Sequence, residues 1–358
     1  MEYYGFGLVG AAEGRPHREP MDFHLRMVER ADELGMDGWF FAEHHIRPAF
    51  SLTPSPNLLI AAVARRTKRL RLGNMVNILP YHHPLRLAEE IRTLDTITGG
   101  RLEVGYGRGQ IRVEQAGFGV VRNETVEHFD AAYDVVRRLL EGETVTSHTK
   151  WWTIDEAFAV PEAVQKPVPP SWMAAGSDSS VEKAARLGLH CGTSLLTRAV
   201  VDARVAEFKE KWDAFNPARK GEGKFAIGLA VSVAETRDLA FKRVLDEFET
   251  KQQHFAHSIT DTPGADDETY ITHKPNYEKF AAASIDELIN NHLLVAGTVE
   301  DCRDQVAGIR DRGIDMIITH FHNPFSAIED SWNSFELFAT EVVPYVEGRQ
   351  PQLAKAGE

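Results

Sequence analysis

The chain has 358 residues, 43% of them hydrophobic, and carries 53 acidic against 40 basic side chains for a formal charge of −13. That length can bury a large core, and the acidity argues against nucleic acid or an anionic membrane surface as the main partner. Two cysteines without metal-like spacing argue against a disulfide framework and fit a reducing cytoplasm. MEYYGFGLVG lacks the basic start and long apolar run of an export signal, and no stretch reaches membrane-spanning length.

In chain order, Tyr3–Val9 reads as a first strand. A helix from Met21 keeps Leu25, Val28, Ala31 and Leu34 on one stripe until Gly35. Gly38–Ala42 is a short apolar strand, followed by the proline-rich loop RPAFSLTPSPN and a helix over Leu58–Thr67. Leu70–Ile78 is the third strand, and Pro84 is placed to open the helix that stops at Gly99-Gly100. Arg101–Tyr106 is the fourth strand, emptying into Gly107-Arg108-Gly109. No helix is expected directly behind that turn. Asn123 is the expected N-cap of the next helix, whose stripe runs Val126, Phe129, Tyr133, Val136 and Leu140.

The region 144–160, with Trp151-Trp152, reads as an inserted hairpin. Ser171–Ala175 and His190–Ser194 are strands five and six, with the helix opened by Ser177-Asp178-Ser179-Ser180 between them. Phe225–Val233 and Asp315–Phe321 are strands seven and eight. The pattern lapses over Ala256–Ala283, a length that suits a lid. Eight strands alternating with helices, and no linker, predict one α/β domain over residues 1–358. The expected architecture is a (β/α)8 TIM barrel with insertions near 144–160 and 256–283.

On such a barrel the carboxyl ends of the strands share one face. They would bring together Glu43, His44 and His45, then Asn77 with His82 and His83, then Arg108, then Ser177, Ser179 and Ser180. Histidines beside a carboxylate suit proton transfer near neutral pH, although Glu43–His45 taken alone reads equally well as a surface loop with satisfied histidines. The serines at a helix start, with Arg108, make a candidate phosphate site, against the ordinary alternative of simple N-capping. Adjacent histidines rarely share one ion, so no metal is expected. Gly105-Tyr106-Gly107-Arg108-Gly109 has the wrong spacing for a dinucleotide fingerprint. Phe6, Trp39, Phe41, Phe50, Tyr106 and Phe321 are candidate pocket walls, although each taken singly reads more readily as a core residue.

Four stretches give the chain a family resemblance along nearly its whole length: GMDGWFFAEHH, LGNMVNILPYHHPLRLAEEIRTLDTITGGRLEVGYGRG, KPVPPSWMAAGSDSSVEKAARLG and VAGTVEDCRDQVAGIRDRGIDMI. The chain resembles the bacterial luciferase-like monooxygenases. The resemblance implies a (β/α)8 barrel that takes reduced FMN from a separate flavin reductase and, with O2, oxygenates a small organic substrate through a flavin peroxide. It also implies a homodimer formed through the second and third helices. His44 matches the family's active-site histidine, with Glu43 and His45 beside it. Arg108, Ser177 and Ser180 match its phosphate-binding positions, and Met75-Val76 falls where many members have a cis peptide beside the flavin, next to Asn77 and Tyr106. Two departures stand out. A second phosphate arginine has no counterpart at Asn123–Val126, and Gly107 replaces a reactive cysteine of luciferase. Relatives of the family pass hydride to a deazaflavin without oxygen, so a deazaflavin-dependent dehydrogenase is one alternative. A catalytically silent flavin-binding protein is another.

Overall fold

The strands of the main sheet are largely buried on both faces, and the sheet achieves this by closing on itself. The computed structural model describes residues 1–245, 283–321 and 327–349. Eight parallel strands form the ring: β1 (Glu2–Gly7), β2 (Gly38–Phe41), β3 (Arg71–Ile78), β4 (Leu102–Gly107), β7 (Ser171–Ala174), β8 (His190–Ser194), β9 (Phe225–Val233) and β11 (Met316–His320). The pairing of β8 with β9, and of β11 with both β9 and β1, closes it. This is the (β/α)8 barrel expected from the sequence.

The helices that cover the ring stop and start as their ends dictate. α1 (Arg18–Leu34) and α3 (Pro84–Thr98) each end on a glycine in the left-handed region, Gly35 and Gly99. α3 opens on proline and α2 (Pro56–Ala64) does the same. α6 (Asp178–Arg186) opens with a capping box between Ser177 and Ser180. Between β4 and α5 (Thr125–Leu140) lies a short helix, α4 (Arg112–Gly117), that sequence periodicity does not predict. β5 (Val145–His148) and β6 (Thr153–Ala157) make the antiparallel hairpin, and Trp151 stacks on His128 of α5 with ring centroids 4.1 Å apart. The strand β10 (Leu294–Gly297) is also additional. It pairs with the upper half of β9, whose lower half pairs with β11. The segment 256–282, expected to form a lid, lies outside the described residues. No described helix is long and apolar enough to cross a membrane.

The barrel interior is graded by size. Tyr4, Phe40, Trp172, Met316 and Ile318 fill its lower layers, around the Glu103 carboxylate. That carboxylate accepts from Tyr4 Oη at 2.8 Å and Trp172 Nε1 at 2.5 Å, and from Arg71 Nε. Alternation then points Gly105, Gly107, Ala174, Gly192, Gly228 and Ala230 inward in the upper layers. Large below and small above leaves a cup that opens at the carboxyl ends of the strands, with Phe6 and Met75 packed at its floor.

Gly105 shows how tightly the cup is built. A Cβ there would stand 2.4 Å from the Asn74 carbonyl oxygen, whereas one on Gly308, in the helix α7 (Val299–Arg310), would meet nothing within 4 Å. Gly105→Ala is therefore expected to lower the melting temperature by several degrees, and Gly308→Ala to raise it through about 0.5–1 kcal/mol of helix propensity. Thermal unfolding of both variants checks this, and equal shifts would contradict it.

Candidate active site

β2 delivers Glu43, His44 and His45 to the rim of the cup. Glu43 is 3% exposed, yet its carboxylate is fully engaged. It accepts the Ile78 backbone N–H at 2.8 Å, His45 Nε2 at 3.1 Å and His82 Nε2 at 2.9 Å. Burial alone would raise its pKa, but the two imidazoles and the amide outweigh that and hold it below the ordinary carboxylate value. His82 is the mirror case, since burial would lower its pKa and the bond to Glu43 raises it above 6.5. Glu43 thus holds together the exits of β2 and β3 and faces no open space itself. His45 lies edge-on to Phe118, with centroids 4.6 Å apart, and Phe118 stacks flat on Tyr81 at 4.5 Å.

His44 is the most open of the three. Its Nδ1 lies 3.2 Å from Glu114 Oε1, an oxygen that also accepts the His45 backbone N–H at 2.8 Å. Glu114 is 0% exposed and its Oε2 has no hydrogen-bond partner among the described residues. A carboxylate acceptor at Nδ1 fixes the tautomer of His44 and leaves Nε2 as its working nitrogen. Phe50 packs edge-on against the same ring at 4.7 Å. Ile46, which follows His45, has φ of 67°, rare for a β-branched side chain, and Gly117 of α4 provides the space for it.

The next strand ends supply an anion site. Arg108 follows β4, is half-buried, and has no ion pair or hydrogen bond among the described residues; burial pushes its pKa down from the ordinary value. Ser177, Ser179 and Ser180 follow β7, the neighbour of β4 in the ring. Ser180 Oγ accepts the Gly176 and Ser177 backbone N–H groups at 3.1 and 3.0 Å. Between β3 and β4 the register slips after Asn74, and the Met75–Val76 peptide within that slip is cis. Asn77 is fully buried there, its Oδ1 without a partner among the described residues.

The sequence profile of the luciferase-like monooxygenase family matches residues 1–316. The chain belongs to the luciferase-like monooxygenase family. It is similar to limonene 1,2-monooxygenase of Rhodococcus erythropolis, 29% identical over 343 residues that cover 90% of this chain and 81% of that one. It is also similar to 4-hydroxyprotoasukamycin monooxygenase of Streptomyces nodosus subsp. asukaensis, 28% identical over 340 residues, 90% and 86% of the two chains. Among solved structures, the fold matches monooxygenase RslO1 of Streptomyces bottropensis with a TM-score of 0.81 at 23% identity, over 96% of this chain and 99% of that one. It also matches the oxygenating constituent of 3,6-diketocamphane monooxygenase from Pseudomonas putida, in complex with FMN, with a TM-score of 0.79 at 18% identity over 96% and 98%. An F420-dependent secondary alcohol dehydrogenase shares the fold too, at a TM-score of 0.74 and 18% identity over 96% and 98%. Membership of the family makes the chain an oxidoreductase of the oxygenating class.

Several expectations need correction against this geometry. Tyr106, expected at the cofactor, points outward and packs on Tyr133 of α5 with centroids 5.3 Å apart, so it belongs to the layer between sheet and helices. Trp39, Phe41 and Phe321 lie in that layer as well, the core placement that each taken singly favours. Asn123 is not a cap, because α5 begins at Thr125 after a tight turn over Arg122–Glu124. A helix does follow the Gly107–Gly109 turn, and its Glu114 is the residue that sequence reading missed. An arginine also stands one position before the stretch in which none was found. Arg122 Nη1 donates to the Gln110 carbonyl and to Gln115 Oε1, both at 3.1 Å, beside the Arg108 turn. Burial, then the like charges of Arg112 and Arg108, lower its pKa.

The Glu43–His82 pair has a definite pH signature. The depressed Glu43 contributes stability above its unfolded pKa, lost as pH falls through its folded value. The raised His82 contributes below 6.5, lost as pH rises through its folded value. The pair therefore contributes fully only in mildly acid solution. His82→Gln keeps a donor to Glu43 but does not titrate, so its melting temperature should fall less than that of the wild type between pH 6.5 and 8. Parallel curves would sink the assignment.

Proposed function

We propose that this chain is the oxygenase component of a two-component system, using reduced FMN and O2 to oxygenate a small organic substrate. The observation that carries the flavin assignment is Arg108, a half-buried guanidinium with no protein anion among the described residues, one strand away from the serine cap of α6. An unpaired charge in that position favours a bound anion, and Arg108 with Ser177, Ser179 and Ser180 would hold the FMN phosphate, with Arg122 reinforcing the field. The small residues of the upper barrel leave room for the ring system, beside Met75, Val76 and Asn77. These residues fit the group.

Reduced FMN, when bound, supplies the electrons that activate O2. The protein's part is proton control and exclusion of water. Glu114 holds the Nδ1 proton of His44, so that His44 Nε2 can accept or donate a proton at the reacting centre, with Phe50 keeping solvent off the ring. Glu43, through His45 and His82, holds the loop on which His44 stands. A separate flavin reductase would supply the reduced FMN as a shuttled cosubstrate. A homodimer through α2 and α3 would cover Leu58, a leucine on α2 that is 70% exposed.

Stopped-flow absorbance after mixing protein and reduced FMN with oxygenated buffer tests the oxygenase reading. It expects a transient distinct from reduced and oxidised FMN, whose decay changes in His44→Ala. Oxidation no faster than that of free reduced FMN, with turnover indifferent to O2, would transfer the assignment to a deazaflavin-dependent dehydrogenase. Tight flavin binding without any turnover would mark a silent flavin carrier.

The phosphate seat has its own test. Arg108→Ala should weaken FMN by about 1.5–3 kcal/mol, the worth of hydrogen bonds to a charged group, and leave riboflavin nearly unchanged. Equal losses for both flavins in fluorescence titrations would remove Arg108 from the phosphate.

A further inference from the structure

Where β3 slips against β4, two residues, Met75 and Val76, stand opposite the single Gly105. Such a bulge leaves ladder groups without their usual partners, and buried backbone amides do not stay unsatisfied. Here a side chain supplies what the backbone lacks. Asn74 Oδ1 accepts the Gly105 backbone N–H at 2.9 Å and also the Asn77 amide at 2.9 Å, and its own NH2 donates to Asn57 Oδ1 of α2 at 2.8 Å. Asn57 in turn donates to Glu90 of α3 at 3.2 Å. Asn74 is fully buried, and its own three bonds are made away from water. Met75 projects into the barrel, and its Cε lies 3.2 Å from where a Cβ on Gly192 would be, so it spans the cup from β3 to β8.

We propose that Asn74 is a positioning residue for the flavin ring. Its amide replaces the ladder bond lost at the bulge and thereby sets how far Met75 and Val76 stand into the cup. The proposal rests on the flavin-binding reading of this site. The bond to Asn57 ties Asn74 to the outer helices but is not the one that shapes the cup. Loss of the Gly105 bond should therefore act on the ring seat, and loss of the Asn57 bond only on stability.

The test is fluorescence titration of FMN and of riboflavin with wild type, Asn74→Ala, Asn74→Asp and Asn57→Ala, each checked for folding by circular dichroism. Asn74→Ala should weaken both flavins by the same factor, about tenfold for one lost hydrogen bond. That signature separates it from Arg108→Ala, which acts on FMN alone. Asn57→Ala should lower the melting temperature yet keep both affinities within about twofold. Unchanged flavin affinity in Asn74→Ala, or equal losses in Asn74→Ala and Asn57→Ala, would overturn the proposal. If Asn74→Ala does not fold, Asn74→Asp decides, because it keeps the acceptor for Gly105: retained affinity supports the proposal and loss of both flavins overturns it. A wild type that binds neither flavin would overturn the cofactor assignment itself.

Discussion

A single buried carboxylate anchors the working end of this barrel. Glu43 leaves water completely, and a lone carboxylate so placed would be strongly destabilising. It is kept by three donors that come from two different strand exits, an amide at the end of β3 and imidazoles on the loops after β2 and β3. The cost of burying it is thereby converted into a geometric constraint: both loops must stand where the carboxylate can be satisfied. Glu114 repeats the device one strand further on, reaching from behind β4 to the backbone and ring of the β2 exit. Together the two acids join three consecutive strand ends into one arc, and His44 sits between them.

The eight ring strands were readable because each is a short apolar run with a turn signal after it, and the helices between them keep a stripe of period 3.6. What escaped notice did so for specific physical reasons. α4 is six residues long and follows a glycine turn, too short for periodicity to register, so Glu114 remained hidden inside it. β10 is four residues long and runs directly into the capping box of α7, which dominates the local pattern. Tyr106 was misplaced because β4 is buried on both faces, and hydrophobicity then says nothing about which way a side chain points. The one cue was parity. Glu103, Gly105 and Gly107 share a face, and a row of one acid and two glycines is poor material for packing against a helix.

The histidine cluster was legible as a cluster but not as a set of roles. Glu43, His44 and His45 are consecutive, yet the strand turns so that the first is sealed in, the last is wedged against aromatic rings and only His44 keeps an open edge. Polarity alone cannot rank three ionisable neighbours; their partners from distant loops do that. Arg108 was legible for the opposite reason. Its glycine-flanked turn offers no acid, and the fold brings none to it among the described residues.

The size gradient inside the barrel also governs traffic. With Tyr4, Phe40 and Trp172 filling the lower layers, the cup is closed at its floor among the described residues. Whatever rests against Phe6 and Met75 has come in through the same opening as everything above it. The deepest occupant must therefore be first in and last out, and the order in which molecules load and leave is a matter of depth as much as of affinity.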